Sequence, residues 1–204
     1  MLTQKIGHKI LKRFLHYRLC LTKFQDLGFH KVFSYTLGAE AGVSAEQVRK
    51  DFSLFAIRGS KRGGYDIDYL LNAINDVFKQ NGERMIILVG MGNIGNALLN
   101  YQGFKENKIS IVAGFDLDPS KYLKKSAIPI YPPDMIPEIV IKHGVKTAII
   151  AVPAIAGQEI CDKLVSAGIK GILNFSPLLL RVPNDVTVNY VNLRNELETL
   201  FFYI

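Results

Sequence analysis

Apolar residues along the chain follow two patterns, and the change comes near residue 82. Before it they recur with a helical period; after it they gather into short unbroken runs with helical stretches between them. Over residues 5–25, Ile6, Ile10, Phe14, Tyr17, Leu21 and Phe24 mark one face of an amphipathic helix, with Lys9, Lys12, Arg13 and Lys23 off the stripe. A short helix is expected over residues 34–41 with Ser34 as its N-cap, then a turn at Gly42 and Val43. Ser44 and Gln47 fit a capping box that opens a second helix. In that helix Val48, Phe52 and Phe55 face a core, while Arg49, Lys50 and Ser53 fall on the opposite arc. Two short helices joined by a glycine turn form a helix-turn-helix, and the basic arc suits a DNA major groove. Residues 58–65 (RGSKRGGY) are glycine-rich and basic and stand where a winged helix carries its wing. A helix over residues 66–80 presents Ile67, Leu70, Leu71, Ile74 and Phe78, and Asn81 with Gly82 marks a domain border.

The second pattern begins with residues 85–90, an apolar run suited to a strand buried on both faces. Gly90, Gly92 and Gly95 then fit G-x-G-x-x-G, with a helix over residues 93–101. The first glycine makes the tight turn, the second lets a pyrophosphate approach the backbone, and the third lets helix and sheet pack closely. With Met91, Asn93 and Ile94 between them, these residues are expected to hold a dinucleotide at a helix N-terminus. A second run, residues 109–115, ends in Asp116, 21 residues after Gly95. An acid there suits the ribose hydroxyls of NAD and repels the 2′-phosphate of NADP; Asp118 is positioned to share the role.

A loop over residues 118–133 leads to a short helix at 135–143 and a third strand at 147–152, closed by Pro153. A helix at 158–167 capped by Gly168, a strand at 171–174 and a last strand at 186–191 complete an alternating order. That order implies an α/β fold of the Rossmann type, a doubly wound and mainly parallel sheet. Its strand ends at Val152, Pro153 and Asn174 are expected to line the cofactor cleft. The tail, residues 192–204, is one more helix, with Leu193, Leu197, Leu200, Phe201 and Ile204 as its apolar stripe. Such a helix either covers its own sheet or inserts into a second subunit.

Charge sharpens the division. Residues 1–80 hold 13 basic and 7 acidic side chains, whereas residues 81–204 hold 12 and 11. The surplus ahead of the nucleotide fold points to a polyanion as partner. Cys20 and Cys161 form neither a disulfide framework nor a zinc pattern, so a reducing cytoplasm and no metal are expected. No apolar run reaches the roughly 20 residues of a membrane span, and the N-terminus has no secretory h-region. An oxidoreductase would need an acid/base on the cofactor cleft. His143, the one histidine of the nucleotide fold, precedes a strand and therefore belongs to the opposite sheet edge. The cofactor is thus expected to be a signal rather than a reagent. A small NAD-dependent oxidoreductase and a CoA-binding module are the alternatives.

The segments VSAEQVRKDFSLF, VGMGNIG, FDLDP, AGIKGILNFSP and the terminal LFFYI resemble the Rex family of NADH-sensing transcriptional repressors over nearly the whole chain. The resemblance implies a homodimer on double-stranded palindromic operator DNA, bound when NAD is high and released when NADH binds. It implies a winged-helix domain over residues 1–81, an NAD(H)-binding domain over 82–191 and a swapped C-terminal helix over 192–204. DNA contacts would come from Ser44, Gln47, Arg49, Lys50 and Ser53, and from Lys61, Arg62 and Tyr65 of the wing. Tyr101 would lie beside the nicotinamide and join Arg18 in an interdomain switch. Two positions depart from the family pattern. Ala56 and Arg62 replace wing glycines, with Lys61 in an arginine's place, and Asn192 replaces the acid that would pair with Arg18. An altered redox response is the expected consequence.

Overall fold

The structure, a computed structural model, describes residues 7–60, 63–78, 84–106, 108–122 and 127–204. The chain forms two units, Met1–Gln80 and Asn81–Ile204.

The first unit contains α1 (His8–Asp26), β1 (Lys31–Val32), α2 (Ser34–Glu40), α3 (Ala45–Leu54), β2 (Tyr65–Asp66) and α4 (Ile67–Phe78). The helical stripe of α1 buries Phe14, Tyr17 and Leu21 completely, against Leu37, Val48, Phe52, Ile67, Leu70 and Ile74. Each such side chain contributes roughly 1.5–3 kcal/mol by leaving water. Gly42 turns the chain between α2 and α3 at φ +70°. Strands β1 and β2 pair antiparallel, Val32 opposite Tyr65, and a bridge between Ser60 and Gly64 closes the loop before β2. Asp66 accepts the Tyr69 N–H at 2.8 Å and so caps α4.

Three local expectations need correction here. Ser34 is the first residue of α2, and its hydroxyl accepts a hydrogen bond from Arg49 instead of capping the helix. Ser44 does cap α3 by accepting from the Gln47 N–H, but the Gln47 side chain does not return the bond. It donates to Asp51 at 2.7 Å, because a buried carboxylate one turn on is the stronger acceptor. Arg13, off the apolar stripe, also turns inward to Asp51, at 2.6 and 2.7 Å. Strand β1, two residues long, is too short for an alternating pattern to announce it.

The second unit runs β3 (Arg84–Val89), α5 (Asn93–Leu99), α6 (Gln102–Glu106), β4 (Ile109–Phe115), β5 (Ile130–Tyr131), α7 (Ile136–His143), β6 (Thr147–Ile150), α8 (Ala154–Ser166), β7 (Gly171–Asn174), β8 (Thr187–Tyr190) and α9 (Leu193–Phe202). The six strands lie in the order β5-β4-β3-β6-β7-β8, all pairs parallel. Chain order therefore reverses direction between β3 and β6, the switch point at which open α/β sheets bind ligands. Strand alternation divides the core: Ile87 and Val89 join the cluster with Ile139, Ile160 and Leu164, while Ile86 and Leu88 face the other side with Met91.

Helix α5 stops at Leu99, short of the expected residue 101, and the short α6 follows it. Helix α8 begins at Ala154, earlier than expected, directly after Pro153. Strand β5 is an addition, while Gly168, at φ +99°, follows the C-terminus of α8 as expected. Helix α9 buries none of its residues: Leu193, Leu197, Leu200, Phe201 and Ile204 are all exposed.

Candidate functional site

The loop from β3 into α5 is built by its glycines, each for a separate reason. Gly90 has φ +99°, and a Cβ there would stand 2.5 Å from the Ala151 carbonyl oxygen. A Cβ on Gly95 would stand 2.0 Å from the Gly90 carbonyl oxygen, so only glycine lets α5 return this close to the turn. A Cβ on Gly92 would meet nothing within 4 Å. The middle glycine thus opens onto free space, on the side where a phosphate would approach. The first-turn N–H groups of α5 have no carbonyl of their own helix to bond.

That space is a cavity of about 320 Å³ at the switch point. Val89, Gly90 and Gly92 line it from β3 and its turn, Phe115 and Asp116 from β4, and Val152 and Pro153 from β6. Leu117, Lys121, Pro133, Ala151, Ala156 and Ile160 complete it and were not anticipated. They come from loops and from α8, where no periodic pattern points to a ligand. Its position, at the C-terminal ends of β3 and β6, is where open α/β sheets bind ligands.

Asp116 is already held when the cavity is formed. It accepts from the Met91 N–H at 2.7 Å and the Asp118 N–H at 3.0 Å, and pairs with Lys121 at 2.7 Å. Burial would raise its pKa, but these donors outweigh burial and keep the carboxyl below its usual range. A carboxylate fixed as an anion is a ready acceptor for ribose hydroxyls. Asp118 turns instead to cap the next turn through the Ser120 N–H.

Not every expected cofactor residue reaches the cavity. Met91 is buried and directs its side chain into the core beside Gly114, leaving only backbone toward the turn. Asn93 and Ile94 are exposed at the start of α5. Asn174 is corrected outright: it is wholly buried, donates to the Ser176 and Leu178 carbonyls and accepts from the Ser176 N–H. It fastens the loop after β7 rather than presenting polar atoms to a ligand. Tyr101 lies beyond the far end of α5, packs edge-on against Phe104 and lines a different cavity, with Leu99 and Ile109. It is not among the residues that line the cavity at the switch point. Arg18 lies over the Phe78 ring at 5.6 Å and donates to Asn75. Asn192 accepts the Asn195 N–H and caps α9.

In the first unit, Arg49, Lys50 and Ser53 are exposed on one face of α3, as the pattern required. Arg49 bonds the Ser34 hydroxyl at 3.0 Å, Ser44 caps the helix, and Tyr65 packs edge-on against Phe52. Lys61 and Arg62 lie outside the described residues. The opposite face of α3 is anchored by a site the sequence did not reveal. Asp51, 1% exposed, receives Arg13, Tyr17 and Gln47, whose bonds outweigh burial and hold its carboxyl below the usual range. Among the described residues no cluster of three metal-ligating side chains occurs, and no helix is long and apolar enough to cross a membrane.

Comparison with known proteins agrees with this division. Residues 5–53 match the family model "Putative DNA-binding protein N-terminus", and residues 81–178 match "CoA binding domain". The chain is 38% identical over 202 residues to the redox-sensing transcriptional repressor Rex of Brevibacillus brevis, covering 98% of each protein. It is 39% identical over 193 residues to the protein of the same name from Streptococcus agalactiae, covering 93% of this chain and 91% of the other. Among solved structures, the Rex-family repressor RSP with NAD⁺ and operator DNA superposes with a TM-score of 0.91 at 27% identity, over 98% of this chain and 93% of that one. Its complex with NADH gives 0.88 over 98% and 95%.

Proposed function

The chain belongs to the Rex family of redox-sensing transcriptional repressors, and from that premise we propose how its own residues carry the response. It is a DNA-binding repressor regulated by NADH and NAD⁺. The observation that carries this reading is the pairing, in one chain, of a cavity at the β3–β6 switch point with a capped helix presenting Arg49 and Lys50.

Gly92 and the start of α5 receive the pyrophosphate, and Asp116, braced by Lys121, receives the adenosine ribose. Much of the cavity wall is apolar, with Val89, Phe115, Leu117, Val152, Pro153 and Ile160. Where the nicotinamide meets an apolar wall of this kind, its oxidised, positively charged form is disfavoured and NADH is favoured. No group of this cavity is assigned acid/base work, and the protein acts as a sensor rather than an enzyme. The CoA-domain match fits a shared pyrophosphate cradle and makes CoA the competitor to test.

On the DNA side, α3 presents Arg49, Lys50 and Ser53 toward the major groove and its flanking phosphates, with Ser44 at the start of the helix, while the Gln47 amide is taken up by Asp51. Lys61 and Arg62, read from the sequence alone, and Tyr65 at the start of β2 are the remaining candidates for DNA contact. The exposed stripe of α9 supports a homodimer in which this helix is exchanged between subunits, working in the cytoplasm on palindromic double-stranded DNA. In that dimer Tyr101, Arg18 and Asn192 from different segments meet in the switch. Two recognition helices must reach major grooves about 34–36 Å apart. If NADH prefers a dimer closed too far for that spacing, it withdraws protein from DNA. Linkage then requires operator DNA to weaken NADH binding by the same factor. Calorimetric NADH affinity, measured with and without a palindromic duplex selected by this protein, tests the coupling. Weaker binding in the presence of duplex is expected, and equal affinities would refute it.

A further inference from the structure

Between α3 and the loop that leads into β2 lies a groove of about 700 Å³, bordered by Ser34, Arg49, Ser60 and Tyr65. Its remaining lip is aromatic: Phe33 and Tyr35 stack with centroids 5.4 Å apart and planes inclined by 13°. Both rings are exposed, Phe33 by 37% and Tyr35 by 65%, and neither belongs to the buried core of this unit. The Phe33 ring lies beside Gly64, and the Tyr35 ring stacked on it is left largely in water. The groove also has a cation at its wall, since Arg49 reaches across it to the Ser34 hydroxyl at 3.0 Å.

We infer that this groove seats the sugar–phosphate strand of the operator, with Phe33 and Tyr35 packed against its deoxyribose and Arg49 on its phosphate. The inference rests on the DNA-binding reading and adds two recognition residues to it. Its geometric basis is simple. A recognition helix enters a major groove and a wing lies over the neighbouring minor groove, and what separates those grooves is one sugar–phosphate strand. A cavity between the two elements must straddle that strand. Arg49 supplies the charge that a phosphate requires, and Ser34 and Ser60 supply hydroxyls. A deoxyribose offers an apolar face that two exposed rings would cover.

The two contributions separate by salt. A phosphate contact is lost as counterions compete, with log K falling by about 0.9 per contact per decade of salt, whereas ring–sugar packing is insensitive to salt. The experiment measures binding by fluorescence anisotropy from about 50 to 300 mM salt, using a palindromic duplex selected from a random pool with the wild-type chain. The double variant Phe33→Ser/Tyr35→Ser is expected to bind about tenfold more weakly at every salt, with an unchanged slope. Arg49→Gln should reduce the slope by about one. Phe33→Tyr/Tyr35→Phe should bind like wild type, which a general distortion of the loop would not allow. NADH affinity, read in the same double variant, should be unchanged. Wild-type affinity and slope in the double serine variant would overturn the inference while leaving the repressor reading intact. Loss of affinity accompanied by a reduced slope would overturn it too. Failure of the wild-type chain to select any duplex would refute the DNA-binding reading itself.

Discussion

Substituting Asp51 tests whether the recognition helix is held from behind. Its carboxylate is 1% exposed and takes Nε and one terminal nitrogen of the Arg13 guanidinium at 2.6 and 2.7 Å, the Tyr17 hydroxyl at 2.9 Å and the Gln47 amide at 2.7 Å. Asp51→Asn keeps the shape but removes the charge and turns one acceptor into a donor facing donors. Breaking a buried pair costs about 3–5 kcal/mol. The Arg13 side chain retains 23% exposure and recovers part of its hydration, so a cost of about 2–3 kcal/mol is expected. The pH dependence has a definite sign. The folded-state pKa of Asp51 is lowered, so its contribution is complete above the unfolded value of about 3.9 and disappears as pH falls through the folded one. Urea unfolding followed by circular dichroism, with hydrogen exchange assigning the transition to α1 and α3, measures both quantities. At pH 7 the variant should be less stable by the stated amount, and the gap should narrow below pH 4. A loss under about 0.5 kcal/mol, the level of an ordinary surface substitution, or a gap that stays constant with pH, would refute the reasoning.

Other expectations follow from single backbone positions and one cap. Gly92→Ala should fold normally, since its Cβ meets nothing within 4 Å, yet lose NADH affinity by calorimetry; Gly95→Ala should instead melt at a lower temperature, because its Cβ would overlap the Gly90 carbonyl. Ala56 holds φ +54°, a left-handed conformation at a wing position where the family pattern has glycine. Ala56→Gly should therefore stabilise the first unit by about 0.5–1 kcal/mol in the same urea experiment, and a destabilised variant would contradict that assignment. Asn192→Asp keeps the cap on α9 and restores an acid, so NADH should displace DNA over a narrower concentration range in an anisotropy titration; an unchanged curve would deny Asn192 a part in the switch.

What could be read from sequence, and what could not, divides by contact range. Gly90, Gly92 and Gly95 announce their roles because a turn, an opening and a close approach each require one residue type within six positions. The Val48, Phe52 and Phe55 stripe likewise fixes which face of α3 carries Arg49 and Lys50. Arg13 and Asp51 are 38 positions apart, and no local pattern couples them. Asn174 was expected in the cleft because it ends a strand on the correct edge. Its burial depends on carbonyls of a loop whose path is set by tertiary packing. Tyr101 was expected near the cofactor, but α5 carries it to the other end of the helix. Strands β1 and β5, two residues each, exist only because a partner strand pairs with them.

The proposed switch couples occupancy of the β3–β6 cavity to the basic face of α3. It is tested most directly by titrating NADH, and separately NAD⁺, into the purified chain already bound to its selected palindromic duplex, with anisotropy reporting release. NADH should release the duplex at concentrations where NAD⁺ leaves it bound. Release by neither, or equally by both, would rule that switch out.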